Sequence, residues 1–120
     1  MNFNLIKGNN SLIAEVISDE VLVREVQDAL DLMTNAQYQD ASIILIKKEH
    51  LIPDFFDLKT GIAGEILQKF STYGVRLAII GDFSQNKNKS LSDFIYESNK
   101  GNRILFLSDR KEAIRRLSGG

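Results

Sequence analysis

Three short runs of β-branched and apolar residues constrain this chain more than anything else in it. Residues 42–46 read Ser-Ile-Ile-Leu-Ile, residues 75–80 read Val-Arg-Leu-Ala-Ile-Ile, and residues 103–107 read Arg-Ile-Leu-Phe-Leu. Runs this apolar and this short suit strands covered on both faces, which is the situation of a parallel sheet flanked by helices.

The segments between these runs have helical period. Leu22, Val26, Ala29, Leu30 and Met33 fall on one stripe, which predicts a helix opened by Ser18-Asp19. Ile62, Ile66, Leu67, Phe70 and Tyr73 form a second stripe from about Thr60 onward, with Gly74 placed to end it in the left-handed conformation. Ser90-Leu91-Ser92-Asp93 reads as a capping box for a third helix, and Ser108-Asp109 as the start of a fourth carrying Ala113, Ile114 and Leu117. Ahead of all this, residues 3–7 and 11–16 alternate around Gly8-Asn9-Asn10, which is hairpin punctuation. The predicted order is ββαβαβαβα over one domain, residues 1–120. Strands alternating with helices imply parallel crossovers, so the expected fold is α/β with a mostly parallel five-stranded sheet. Only the hairpin adds an antiparallel strand, and the hairpin and the last strand are the expected edges.

Composition removes several classes of function. There is no cysteine, which excludes disulfides, thiolate metal sites and cysteine nucleophiles. The single histidine, His50, rules out a His-rich metal site; just beyond a strand, it reads as a surface loop residue. Fifteen basic against sixteen acidic residues give a net charge of −1. The basic pairs Lys47-Lys48 and Arg115-Arg116, with Lys87 and Lys89, sit among acids or amides and read as solvated surface, so no nucleic-acid partner is expected. The longest apolar stretches run about five residues, far below the roughly twenty of a membrane span, and no signal peptide is visible; the expected location is the cytoplasm. No Gly-rich phosphate loop follows a strand, and no cofactor or metal is expected.

Some polar residues fall where an open α/β sheet places its binding residues. Asp82 and Ser84 directly follow the second buried run, at the carboxyl end of a strand. Asp57, Lys59, Thr60 and Gly61 precede the second helix, and Gly61 and Gly64, three apart, share one face near its start. That pair reads either as close packing of helix on sheet or as close approach of a ligand or partner. Asp57, Asp82, Asp93 and Glu97 have the chemistry for acid–base work or a hard cation, but acids at strand ends and helix starts also serve as caps. No catalytic residue emerges. Phe55, Phe56 and Phe83 lie in predicted loops, either closing the ends of the core or forming an aromatic patch for a partner.

Two longer stretches carry a resemblance. Residues 53–70, PDFFDLKTGIAGEILQKF, and residues 89–101, KSLSDFIYESNKG, resemble the family known as domain of unknown function 4180. Asp57-Leu58-Lys59-Thr60-Gly61 is similar to the segment of STAS domains and SpoIIAA-like anti-sigma-factor antagonists, in which a phosphorylatable Ser or Thr followed by Gly begins the second helix. Those proteins usually have one residue between the Asp and the Ser-Gly pair, whereas two separate Asp57 from Thr60. The resemblance implies a STAS-like fold and a possible phospho-switch at Thr60, whose hydroxyl as a helix cap would accept from the amide of Ala63.

These readings converge on a non-catalytic interaction or regulatory module with a protein partner and a weak homodimer. The alternative is a small enzyme or ligand-binding domain using Asp57, Lys59, Thr60 and Asp82 at the strand tips.

Overall fold

The computed structural model describes residues 2–118. Five strands, β1 (Asn2–Lys7), β2 (Leu12–Ile17), β3 (Ile43–Lys47), β4 (Arg76–Ile80) and β5 (Ile104–Leu107), lie in the sheet in chain order. β1 and β2 form the hairpin and pair antiparallel; β2 through β5 are parallel throughout. Four helices accompany them: α1 (Val26–Tyr38), α2 (Ile62–Thr72), α3 (Lys89–Asn99) and α4 (Arg110–Ser118).

The strand order decides where the helices go. Each crossover steps to the next strand in the same direction, so right-handed connections put α1, α2 and α3 on one face. α4, after the last strand, returns across the other. Strand alternation then divides the core in two. Ala14, Val16, Ile44, Ile46, Leu77, Ile79 and Phe106 face the three helices and meet Leu32, Met33, Ile66 and Phe70. Ile13, Ile43, Leu45, Ala78 and Leu105 face α4 and meet Ala113 and Leu117. This two-sided burial is why the strands read as continuous apolar runs.

Four local expectations are corrected. The first helix begins at Val26, not at Ser18-Asp19. Val23 instead forms a parallel bridge with Leu51, so the chain stays extended and Leu22 packs from a loop rather than from a helical face. His50 is the reason, and it is buried rather than on the surface. Its Nδ1 accepts from the Lys47 amide at 3.1 Å and its Nε2 lies 2.9 Å from the Ser18 carbonyl oxygen, to which it donates. Its own carbonyl accepts from the amides of Leu22 and Val23. Every polar group of this ring is used, and the ring ties residues 18–23 to the end of β3. Third, the Ser90 capping box does not form. Ser90 lies inside α3, and the cap is Asn88, whose side chain accepts from the Leu91 amide at 3.2 Å. Fourth, Tyr73 lies past the end of α2 and is exposed, so the stripe ends at Phe70; Gly74 takes the left-handed conformation (φ 68°) expected of it.

The two outer edges of the sheet differ. Beyond β5, the Asn99 side chain from the end of α3 accepts from the Phe106 amide at 2.7 Å and donates to the Phe106 carbonyl at 2.9 Å. The Ser98 hydroxyl donates to the Ile104 carbonyl at 2.6 Å. No described side chain does this for the outer edge of β1.

Candidate functional site

After β3 the chain descends through three short 3-10 turns, Lys48–His50, Pro53–Phe56 and Leu58–Thr60, before α2 begins. Pro53 sets the second of them by opening it at its first position. After β4 it runs through Gly81, Asp82 and Phe83 to α3. Two adjoining hollows lie at the carboxyl ends of the strands, where open α/β sheets bind their ligands, one between these two loops and the other between the first loop and the segment after β2. One, of about 350 Å³, is lined by Lys48, Phe56, Asp57, Phe83, Asn86 and Asn88 among others. The other, of about 500 Å³ and largely apolar, is lined by Val21, Leu51 and Glu49. Lys48, Pro53 and Phe56 are common to both.

Lys48 is the central residue, and the sequence presents it only as half of a basic pair. It is half-buried, with its stem laid across Gly81. A β-carbon on Gly81 would come within 2.7 Å of Lys48 Cβ and 3.0 Å of its Cδ, so only glycine leaves room for this crossing. The ammonium donates to the Asp82 carbonyl at 3.2 Å and lies 5.7 Å and 5.4 Å from the ring centres of Phe56 and Phe83. Both rings present their electron-rich surfaces to the charge. The rings belong to a ladder, Phe55 to Phe56, Phe83, Phe106 and Phe94, with centres 5.0 to 5.9 Å apart. Phe55 is buried, and Phe56 and Phe83 are half-buried, so the three close the end of the core while two of them also form a wall of the hollow.

The structure disperses the acids. Asp82 accepts from the Ser84 hydroxyl at 2.5 Å and the Ser84 amide at 2.9 Å. Those bonds, the hydroxyl's first, hold its carboxyl below the usual aspartate range, with a smaller contribution from the charge of Lys48. Asp57 accepts from the Lys59 amide at 3.2 Å. Asp93 pairs with Lys89 and Glu97 with Lys100, each along exposed helix surface. Among the described residues no three acidic or histidine side chains converge as cation ligands.

Thr60 is not the cap of α2. The position before the helix is Gly61, in the left-handed conformation (φ 77°). The Thr60 hydroxyl lies 2.8 Å from the Asp54 carbonyl and 2.9 Å from the Asp57 carbonyl, sharing its one proton between them, and accepts from the Ile62 amide at 3.3 Å rather than from Ala63. It thus latches the turn that carries Pro53, Phe56 and Asp57. Gly61 and Gly64 do not share a helical face, because Gly61 precedes the helix. Neither packs closely: a β-carbon at either would meet nothing within 4 Å. Close approach occurs instead at Gly81, beneath Lys48, and outside this site at Gly8, beside Ser11 and Ser118. The Lys59 side chain is exposed and contributes no bond among the described contacts.

A family model described as Domain of unknown function (DUF4180) matches residues 8–117, nearly the whole chain, and the chain belongs to that family. No curated protein and no solved structure matches it. No helix among the described residues is long and apolar enough to cross a membrane.

Proposed function

We propose that this DUF4180 protein is a non-catalytic binding module of regulatory kind, which grips a partner protein through the cleft around Lys48. The observation that carries the reading is the placement of that lysine in the wall shared by the two hollows. One ammonium proton goes to the Asp82 carbonyl, leaving donors for an incoming acceptor. Beside it lie two phenyl faces and an apolar pocket. The chemistry that fits is a peptide segment with a carboxylate next to an apolar side chain. A charge-assisted bond would hold the first and burial the second. The engagement of Asp57, Asp82, Asp93 and Glu97 in local turns and ion pairs supports a binding role over acid–base chemistry.

The STAS-like element order and the Thr60-Gly61 pair ahead of α2 support regulation at the same place. A phosphoryl group on Thr60 replaces a donor by acceptors and turns them on the carbonyls of Asp54 and Asp57. The latch on the Pro53–Phe56 turn is then lost, and with it one wall of the cleft.

The test is affinity capture from the native host with wild-type, Lys48→Met and Thr60→Asp baits. Methionine keeps the stem over Gly81 and removes the charge, so partner retention should fall by about tenfold or more with the melting temperature held. Thr60→Asp should weaken the same partner. If Lys48→Met retains it fully, the cleft is not the grip. A small molecule retained in place of a protein would turn the reading to the ligand-binding or enzymatic alternative.

A further inference from the structure

We infer that the chain pairs with a second copy of itself along the outer edge of β1, joining two five-stranded sheets into one across a two-fold axis. The direction in which β1's free backbone groups point follows from the hairpin. The Gly8 amide donates to the Ser11 carbonyl at 2.8 Å across the Asn9-Asn10 turn. In an antiparallel ladder, bonded pairs alternate with non-bonded ones. Stepping back along the register from Gly8, the bonded positions are Ile6–Ile13, Asn4–Glu15 and Asn2–Ile17. The amides and carbonyls of Phe3, Leu5 and Lys7 therefore point away from the sheet.

These groups are complementary to themselves. An antiparallel approach with Leu5 on the axis sets Leu5 against Leu5 of the second copy, and Phe3 against its Lys7. Every outward residue then meets an outward residue. All three side chains also emerge on one face of the joined sheet, because Phe3 and Leu5 stand opposite Val16 and Ala14 on the α1–α3 side. Leu5, now 42% exposed, is covered by its own symmetry mate. A two-fold arrangement closes on itself, so it ends at a dimer rather than a fibre.

Charge permits the same pairing. Lys7 is the only charged residue of β1, at its end. In the antiparallel seam the two Lys7 residues are about four strand positions apart, roughly 14 Å along the seam, beyond the ~8–10 Å screening length at ordinary ionic strength. Among the described residues three usual protections of an edge are missing: β1 has no proline, no charge in its middle and an unbroken register. β5, in contrast, has its outward groups occupied by Asn99 and Ser98. Protection at one edge only is what a dimer through the other edge requires.

The experiment is sedimentation of the full chain over a range reaching hundreds of micromolar, for wild type, Leu5→Pro and Leu5→Lys. Proline at position 5 removes an outward amide and leaves the β1–β2 ladder bonds in place. Lysine puts like charges together on the axis. Wild type should show a reversible dimer, and each variant should weaken it about tenfold or more, since two seam bonds per dimer are lost or opposed. Unchanged circular dichroism would establish that the variants are folded. Should either fail to fold, wild-type amide exchange decides: Phe3, Leu5 and Lys7 should become protected as concentration rises. Wild type monomeric throughout overturns the inference, as does a dimer that both variants retain or an exchange pattern independent of concentration.

Discussion

The two borders of the sheet end in opposite ways. At β5 the last turn of α3 lends Asn99, whose amide side chain copies a neighbouring strand by donating and accepting at Phe106, while Ser98 takes the Ile104 carbonyl. At β1 the outward groups of Phe3, Leu5 and Lys7 meet no described partner. β5 is also sandwiched, between the Phe83 and Phe94 rings on one face and α4 on the other, whereas Leu5 at the opposite border stays exposed. This βα chain thus finishes one border with its own side chains and leaves the outward groups of the other without a described partner. The lesson is that an edge is protected where a helix end lies beside it: the end of α3 lies beside β5, and no described helix end lies beside the outer edge of β1.

The largest effect should come from removing a ring at the closed border. Phe106→Ala leaves a cavity beneath two packed phenyl groups and should cost about 3–5 kcal/mol, against about 1 kcal/mol for Leu5→Ala at the open border, where the side chain is already 42% exposed. Chemical denaturation of both variants measures the contrast. Equal losses would mean that the borders do not differ as described.

Next in size is Asn99→Ala. It strands the Phe106 amide and carbonyl, and should cost about 1–3 kcal/mol. It also turns a protected edge into an exposed one, so the variant should self-associate beyond a dimer, as light scattering would show. A destabilised variant that scatters like wild type would break the link between this side chain and edge protection.

The smallest effect concerns how the open border is fastened. Glu15 on β2 accepts from Arg110 Nε and Nη2, at 2.5 and 2.9 Å, and from Asn4 of β1 at 2.9 Å, linking the hairpin to the start of α4. The Arg110 hydrogen bonds hold the Glu15 carboxyl below its ordinary value, against partial burial, which raises it. A carboxyl whose folded value lies below its unfolded one contributes stability that is present above the unfolded value and is lost as pH falls through the folded one. Acidification below the usual glutamate range should therefore loosen the hairpin before β5, visible as faster amide exchange in β1 and β2. Glu15→Gln should remove that pH dependence; if it persists, another group controls the hairpin.

The strands and their directions were legible because two-sided burial leaves a mark that residues 42–46, 75–80 and 103–107 carry on their own. The first helix start was not, because Leu22 satisfies helical spacing equally well from a loop. What decides the matter is His50, far along the chain, which claims the Ser18 carbonyl. The candidate site was legible as a place at the strand ends but not in the residue at its middle. Asp82, Phe56 and Phe83 do lie at the carboxyl ends, but Lys48 looks like any surface lysine until Gly81 on the adjacent strand is seen to make room for it. Thr60 reads as a cap in the sequence and serves as a latch in the fold, since its bonding depends on where the Pro53–Phe56 turn folds back. Close approaches between residues distant in sequence leave no periodic trace.

The in-order sheet also bears on how the protein can be made. Each strand from β2 onward pairs with the strand emerging just before it, so assembly can follow synthesis, one βα unit added at a time to a surface already formed. Such a growing sheet always has a raw leading border, where a nascent chain is most open to misassociation. Here α3 emerges before β5, so Asn99 is already in existence when the last strand arrives. The groups that seal this border therefore precede it in the chain, so β5 can be capped as soon as it pairs with β4.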